Sequence, residues 1–178
     1  MYLFFRKLLS IVFHIKYKIT VHHPENIPEM KGGYIIASNH LKMLDPPMIA
    51  ACIKGKFSFM AKDEIFHKNP FITFVITKCG AFPVVRGSGD EAPIQKAVEV
   101  LGEERIFVIF PEGTRNKTDQ FLLPFKFGCV SMAKKADAYI VPFGLTGDYK
   151  FRSKNLTIRY GEPFKVGNMT TEEANEKL

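Results

Sequence analysis

Apolar residues in this chain fall into short continuous runs, separated by stretches with helical spacing. Residues 33–38 hold the run Tyr34-Ile35-Ile36-Ala37, too short for a helix and without polar alternation, which predicts a strand buried on both faces. Similar runs predict strands at Phe57–Ala61, Ala81–Val85, Ile106–Phe110 and Tyr139–Leu145, with a further one near a sheet edge at Asn155–Tyr160. Helices are predicted between them at 46–53, 70–78, Glu91–Gly102 and Phe127–Ala136. The third is the most explicit, because Ile94, Ala97, Val98 and Leu101 recur at helical spacing. Thr170-Thr171-Glu172-Glu173 offers a capping box for a last helix. Strands alternating with helices predict an α/β fold: a single domain with a largely parallel central sheet covered by helices. In such sheets the ligand crevice lies beyond the carboxyl ends of the strands.

The first 18 residues follow a different pattern. Their longest uncharged stretch, Leu8 to Ile15, is too short to span a bilayer, which takes about 20 apolar residues. No small-residue cleavage site is present, so a signal peptide is not expected. Wound as a helix, Phe4, Phe5, Leu8, Leu9, Val12 and Ile15 share one broad face, with Lys7, Ser10, His14 and Lys18 roughly opposite. That is the pattern of an amphipathic helix lying on an anionic membrane surface. It is also compatible with a terminal helix docked on the protein's own core. The expected organisation is a membrane-surface helix at 1–18 followed by one domain at 19–178.

Composition narrows the partners. Hydrophobic residues make up 46% of the chain, enough for a sizeable core, and the net charge is +7. A basic chain suits nucleic acid, anionic membranes, or acidic substrates and partners. The lysines are dispersed and no nucleic-acid-binding motif is present, so nucleic acid is not an expected partner. Cys52, Cys79 and Cys129 form no C-x-x-C pair, which points away from a metal or redox centre and towards a reducing, cytoplasmic setting.

Polar chemistry gathers at strand ends. The strand at 33–38 runs into Asn39-His40, and Asp45 follows five residues later, before two prolines. A histidine that takes a proton from an alcohol needs a partner on its other ring nitrogen, to fix the tautomer and stabilise the imidazolium. Asp45 is placed to be that partner; before Pro46 it is equally a good helix N-cap. The strand at 81–85 ends in Arg86-Gly87, a planar cation suited either to a phosphate or to a surface carboxylate. The strand at 106–110 ends in Pro111-Glu112-Gly113-Thr114-Arg115-Asn116. There Gly113 permits a tight turn and a close ligand approach, Glu112 can accept from substrate hydroxyls, and Arg115 can bind a second phosphate oxygen. An ordinary turn with an exposed Glu–Arg pair is the plainer alternative. Lys126, just before the helix at 127–136, would reinforce an anion site there, against the helix dipole. If these strands are parallel neighbours, the loops open on one edge.

Four segments in order, Asn39-His40-x4-Asp45-Pro46, Gly80-x-Phe82-x3-Arg86, Phe110-Pro111-Glu112-Gly113-Thr114-Arg115 and Val141-Pro142-Phe143, resemble the four motifs of the glycerolipid acyltransferases. The likeness is strongest to the bacterial 1-acylglycerol-3-phosphate acyltransferases and covers about residues 20–165. It implies an α/β fold and acyl transfer from a thioester, acyl-CoA or acyl carrier protein, to a lysophospholipid acceptor. It also implies His40 as general base, Asp45 as its orienter, and acceptor binding by Arg86, Glu112, Gly113, Thr114 and Arg115. Pro142 would shape the acyl end of the pocket. No metal, cofactor or covalent acyl-enzyme is implied. A lipid substrate fits a peripheral or monotopic enzyme on the cytoplasmic face of the membrane.

Two positions depart from the family's pattern. Lys42 stands where a serine commonly follows the histidine, and Asn116 where a serine commonly ends the third motif. Neither touches the His–Asp pair, but Lys42 leaves the acceptor more open than the reaction. Glycerol 3-phosphate or another lysolipid is the alternative acceptor. A non-enzymatic lipid- or nucleic-acid-binding domain is the alternative of a different class.

Overall fold

The computed structural model describes residues 2–27, 32–85, 91–150 and 155–178, with the backbone alone at residues 2, 3 and 5. The described residues form seven α-helices and one seven-stranded sheet. The strands are β1 (Ile19–His22), β2 (Tyr34–Ser38), β3 (Phe57–Lys62), β4 (Ala81–Val84), β5 (Ile106–Ile109), β6 (Tyr139–Thr146) and β7 (Leu156–Tyr160). The helices are α1 (Tyr2–Lys16), α2 (Asp45–Cys52), α3 (Asp63–Lys68), α4 (Pro70–Lys78), α5 (Ala92–Gly102), α6 (Gly128–Ala136) and α7 (Thr171–Lys177).

The sheet order is β1-β7-β6-β2-β5-β3-β4, parallel throughout except for the antiparallel pair β6–β7. The largely parallel α/β fold expected from the alternation is present. β2 lies at the centre with all five residues buried, as an unbroken apolar run requires when both faces are covered. Tyr34 and Ile36 point into a core shared with Met48 and Ile49 of α2 and Phe13 of α1. Ile35 and Ala37 point into a second core with Ala97 and Leu101 of α5 and Val130 of α6. Entry to β2 needs glycine: a Cβ on Gly33 would collide with the Leu101 carbonyl oxygen.

The two covering layers locate the crevice. The chain leaves β2 for α2 on one face, and leaves the adjacent β5 for α6 on the other. Neighbouring parallel strands whose loops diverge in this way open a cleft between them at their carboxyl ends. The loops at 39–44 and 110–127 flank that cleft.

Several boundaries and neighbours differ from expectation. β1, the edge strand, and α3 were not anticipated; four residues with two exposed, and six residues, carry too little periodicity. β4 lies at the far edge, separated from β5 by β3, so its end is not beside that of β2. The α7 capping box is formed as its sequence indicates, with Thr170 and Glu173 bonding reciprocally.

The division at residue 18 does not separate two bodies. Phe13 and Tyr17 are buried in the core around α2, and Leu9 packs against it, so one side of α1 is docked. The opposite side is open: Phe4 is 67% exposed and Ile15 79%, with Leu8, Ile11 and Val12 also exposed. Of the side chains expected on a membrane-facing stripe, Leu9 therefore belongs to the docked side, Ile11 joins the open one, and that of Phe5 lies outside the described residues. Among the described residues no helix is long and apolar enough to cross a membrane.

Candidate active site

His40 and Asp45 are brought together as the spacing suggested. His40 Nδ1 and Asp45 Oδ2 are 2.9 Å apart, and the carboxylate is fully buried. Asp45 is not the helix N-cap. It is the first helical residue, after Leu44 at the cap, and its carboxylate turns back over the preceding loop. Oδ2 also accepts from the backbone N–H groups of Leu41 and Lys42, each at 2.7 Å, and Oδ1 accepts from the Tyr149 hydroxyl at 2.7 Å.

The prolines explain this choice. A capping side chain satisfies the N–H groups of the second and third helical residues; for Asp45 those would be Pro47, which has none, and Met48, whose N–H already donates to the Leu44 carbonyl at 3.0 Å. The carboxylate is left for the loop. Four donors replace the water that burial removed, and the amino end of α2 adds a favourable dipole. An ionised Asp45 accepting from Nδ1–H fixes the tautomer that leaves His40 Nε2 as an acceptor. Phe110, the residue after β5, stacks on the imidazole with centroids 4.1 Å apart and planes at 22°, covering one face of the ring.

The 111–116 loop holds the same histidine by its backbone. Glu112 Oε1 accepts from the His40 N–H at 2.8 Å, and the Asn116 N–H donates to the His40 carbonyl at 2.7 Å. Glu112 Oε2 accepts from the Leu123 N–H at 3.0 Å. With both oxygens on backbone donors and 2% exposure, Glu112 lies behind the site rather than facing it. This differs from its expected role towards substrate hydroxyls: the carboxylate ties together the three loop segments around His40. The buried Asn116 carboxamide organises the next turn, accepting from Thr118 and donating to Gln120. Asn39 continues the β2–β6 pairing beyond its last register pair, its side chain exchanging two bonds with the Leu145 backbone at 2.7 and 2.8 Å.

The cationic side of the cleft is open. Thr114, Arg115 and Lys126 are exposed. Gly113 has a φ of +67°, and a Cβ there would stand 2.9–3.2 Å from Cδ, Cε and Nζ of Lys126, so the turn and the lysine chain lie against each other. The Lys126 N–H donates to the Pro111 carbonyl at 2.8 Å, securing that approach. α6 begins two residues later with no side-chain cap. Arg86 lies outside the described residues.

Pro142 sits in β6 opposite Ala37 and lines an open groove of about 190 Å³, together with Phe121, Leu122, Phe125 and Leu145. The groove borders Asn39, the residue before His40. The family resemblance had drawn attention to Pro142 alone; the aromatic residues come from a stretch without periodicity. Tyr149 and Phe110 were likewise not singled out as site residues. Phe110 was visible in the third motif, whereas no sequence signal points from Tyr149 to Asp45.

The acyltransferase family model matches residues 18–146. The 1-acyl-sn-glycerol-3-phosphate acyltransferase of Bacillus subtilis is 29% identical over the whole chain, which spans 89% of that protein. The proteins of the same description from Streptococcus pneumoniae and Borreliella burgdorferi are 30% and 35% identical, over 83% and 81% of the chain. The aligned regions cover 56% and 57% of those two proteins. The fold is that of the crystal structure of the 1-acyl-sn-glycerophosphate (LPA) acyltransferase from Thermotoga maritima, with a TM-score of 0.80 and 24% identity over 99% of this chain and 74% of that one. The match to the family model takes in β2 through β6 and every loop of the cleft, and the chain is an enzyme of the acyltransferase family.

Proposed function

We propose that the protein transfers an acyl chain from a thioester to the free hydroxyl of a 1-acylglycerol 3-phosphate, giving phosphatidic acid. The observation that carries this reading is the His40–Asp45 pair at the switch between β2 and β5, bonded through the His40 backbone to Glu112 and Asn116 of the loop that carries Arg115. The acceptor follows the names of the bacterial relatives. His40 Nε2 takes the hydroxyl proton as the oxygen attacks the thioester carbonyl. The C–O bond forms, the tetrahedral oxyanion collapses, the C–S bond breaks, and the imidazolium returns its proton to the departing thiolate. Asp45 balances the charge on the imidazolium throughout. Arg115, Lys126 and the uncapped start of α6 are disposed to hold the phosphate, with Arg86 assigned the same role by its motif. The apolar groove beside Pro142 suits an acyl chain.

The assay is purified protein with lysophosphatidate and either acyl-CoA or acyl carrier protein, its products identified by mass spectrometry. Phosphatidic acid is the expected product with at least one donor. Acylation of glycerol 3-phosphate or another lysolipid in preference would overturn the acceptor, and no new ester with any of them would overturn the reading.

The open side of α1 is proposed to lie on anionic lipid at the cytoplasmic face, with the docked side anchoring the domain to it. The right-handed rule for parallel crossovers places α4 on the same side of the sheet as α1 and α2, and Phe71, Ile72 and Phe74 of α4 are also exposed. Replacing Leu8 and Ile15 together by glutamate should weaken binding to anionic vesicles at least about tenfold, with the melting temperature unchanged because both side chains are exposed. Equal vesicle binding by the variant would refute the placement. Point substitution is a cleaner test than removing residues 1–18, which takes Phe13 and Tyr17 out of the core.

A further inference from the structure

Tyr149 lies beyond β6, outside every motif, and its hydroxyl reaches Asp45 across 104 positions of sequence. Asp45 Oδ2 is taken up by His40, Leu41 and Lys42, and among the described residues Tyr149 is the one donor to Oδ1. Burial, and then the hydrogen bond to Asp45, push the Tyr149 phenol far above its ordinary range, so it stays a neutral donor at working pH. Its ring meets that of Tyr17 edge-on, with centroids 5.7 Å apart and planes at 86°. Tyr17 is buried just beyond the end of α1 and is itself in contact with Phe13. The donor to Oδ1 is therefore held by a buried ring that directly follows the N-terminal helix.

We propose that Tyr149 is a positioning residue for the reaction, acting through Asp45: it locks the carboxylate rotamer and tempers the basicity that Asp45 confers on His40. The proposal rests on the His–Asp base reading given above. A hydroxyl on Oδ1 draws negative charge away from the oxygen that faces the imidazole. Without it, charge concentrates at Oδ2 and the imidazolium is held more firmly. The buried carboxylate, one donor short, also holds a proton more readily. Both changes keep the pair protonated to higher pH, so fewer molecules carry a free Nε2 base at a given pH on the acid side. Tyr17 sets the direction of the hydroxyl, since the phenol ring must keep its edge-on seat for the oxygen to reach Oδ1.

The test is Tyr149→Phe, which keeps the ring and removes one oxygen. The expected result is a fall in kcat of about tenfold, an acceptor KM within about twofold, and an acid limb of kcat/KM displaced upward by about 0.5–1 pH unit. In an Asp45→Ala background, where the hydroxyl has no side chain to act through, the same change should have no further effect on kcat. A variant with only a lower melting temperature, the same kcat at its optimum and an unmoved acid limb would overturn the proposal. So would an undiminished effect of Tyr149→Phe when Asp45 is already alanine. His40→Ala measured in parallel separates the two levels. If it retains full activity, the base reading itself fails; if it is inactive while Tyr149→Phe behaves as wild type, only the role of Tyr149 fails.

Discussion

His40→Ala is expected to lower kcat by at least about 10³-fold while leaving the acceptor KM within about threefold. The imidazole is the only group in the proposed mechanism that moves a proton, and the phosphate-binding cations lie on other loops. Asp45→Asn should fall by about 10²-fold or more, for a different reason. Asparagine can keep its oxygen towards the N–H groups of residues 40–42, and its amide nitrogen can donate to the Tyr149 oxygen, which accepts as well as donates. Geometry is largely preserved, but the charge that stabilises the imidazolium is gone. Asp45→Asn should consequently remain folded, with melting temperature and kcat diverging. Full acyl transfer by either variant would refute the base mechanism.

The architecture was legible because β2, β5 and β6 are continuous apolar runs, and because α5 shows an unambiguous helical period. Strand adjacency was not, since periodicity carries no information about order. Arg86 was expected to follow a strand neighbouring that of His40; β4 does end at the same carboxyl edge of the sheet as β2, but two places away from β5. α1 shows a related limit. Its sequence supports both a docked and an exposed apolar side, and the structure uses both, dividing the hydrophobic residues at Leu9 and Phe13 on one hand and Phe4, Leu8 and Ile15 on the other.

Within the site, the pairing of His40 with Asp45 was readable because it is local. The prolines at 46 and 47 also carried information that spacing alone does not reveal. Of the two N–H groups that an Asp45 cap would serve, Pro47 has none and that of Met48 is taken by the Leu44 carbonyl, which is why Asp45 turns towards the loop instead. Tyr149 was not readable, since its bond to Asp45 exists only after the strands are assembled. The same assembly brings Asn39 against Leu145, an arrangement that looks like ordinary motif decoration until the sheet is seen.

Glu112 gives the sharpest difference between residue type and role, and its substitution should show it. Glu112→Ala would leave two backbone N–H groups, of His40 and Leu123, without the carboxylate that accepts them. Bonds to a charged acceptor contribute about 1.5–3 kcal/mol each, so with partial relaxation the loss is about 3 kcal/mol. For a domain of this size that lowers the melting temperature by about 6–12 °C. Glu112→Gln should lose about half as much, because one carboxamide oxygen still accepts while the NH2 meets a donor. Both variants should also lose kcat, since the His40 backbone is no longer held from its N–H side and only the Asn116 bond to its carbonyl remains. Acceptor KM separates the alternatives. A carboxylate that bound substrate hydroxyls would raise KM on removal and spare thermal stability. One that holds three loop segments around the histidine lowers the melting temperature and kcat together, with KM little changed. A Glu112→Ala protein with the wild-type melting temperature and a raised KM would return this residue to the substrate.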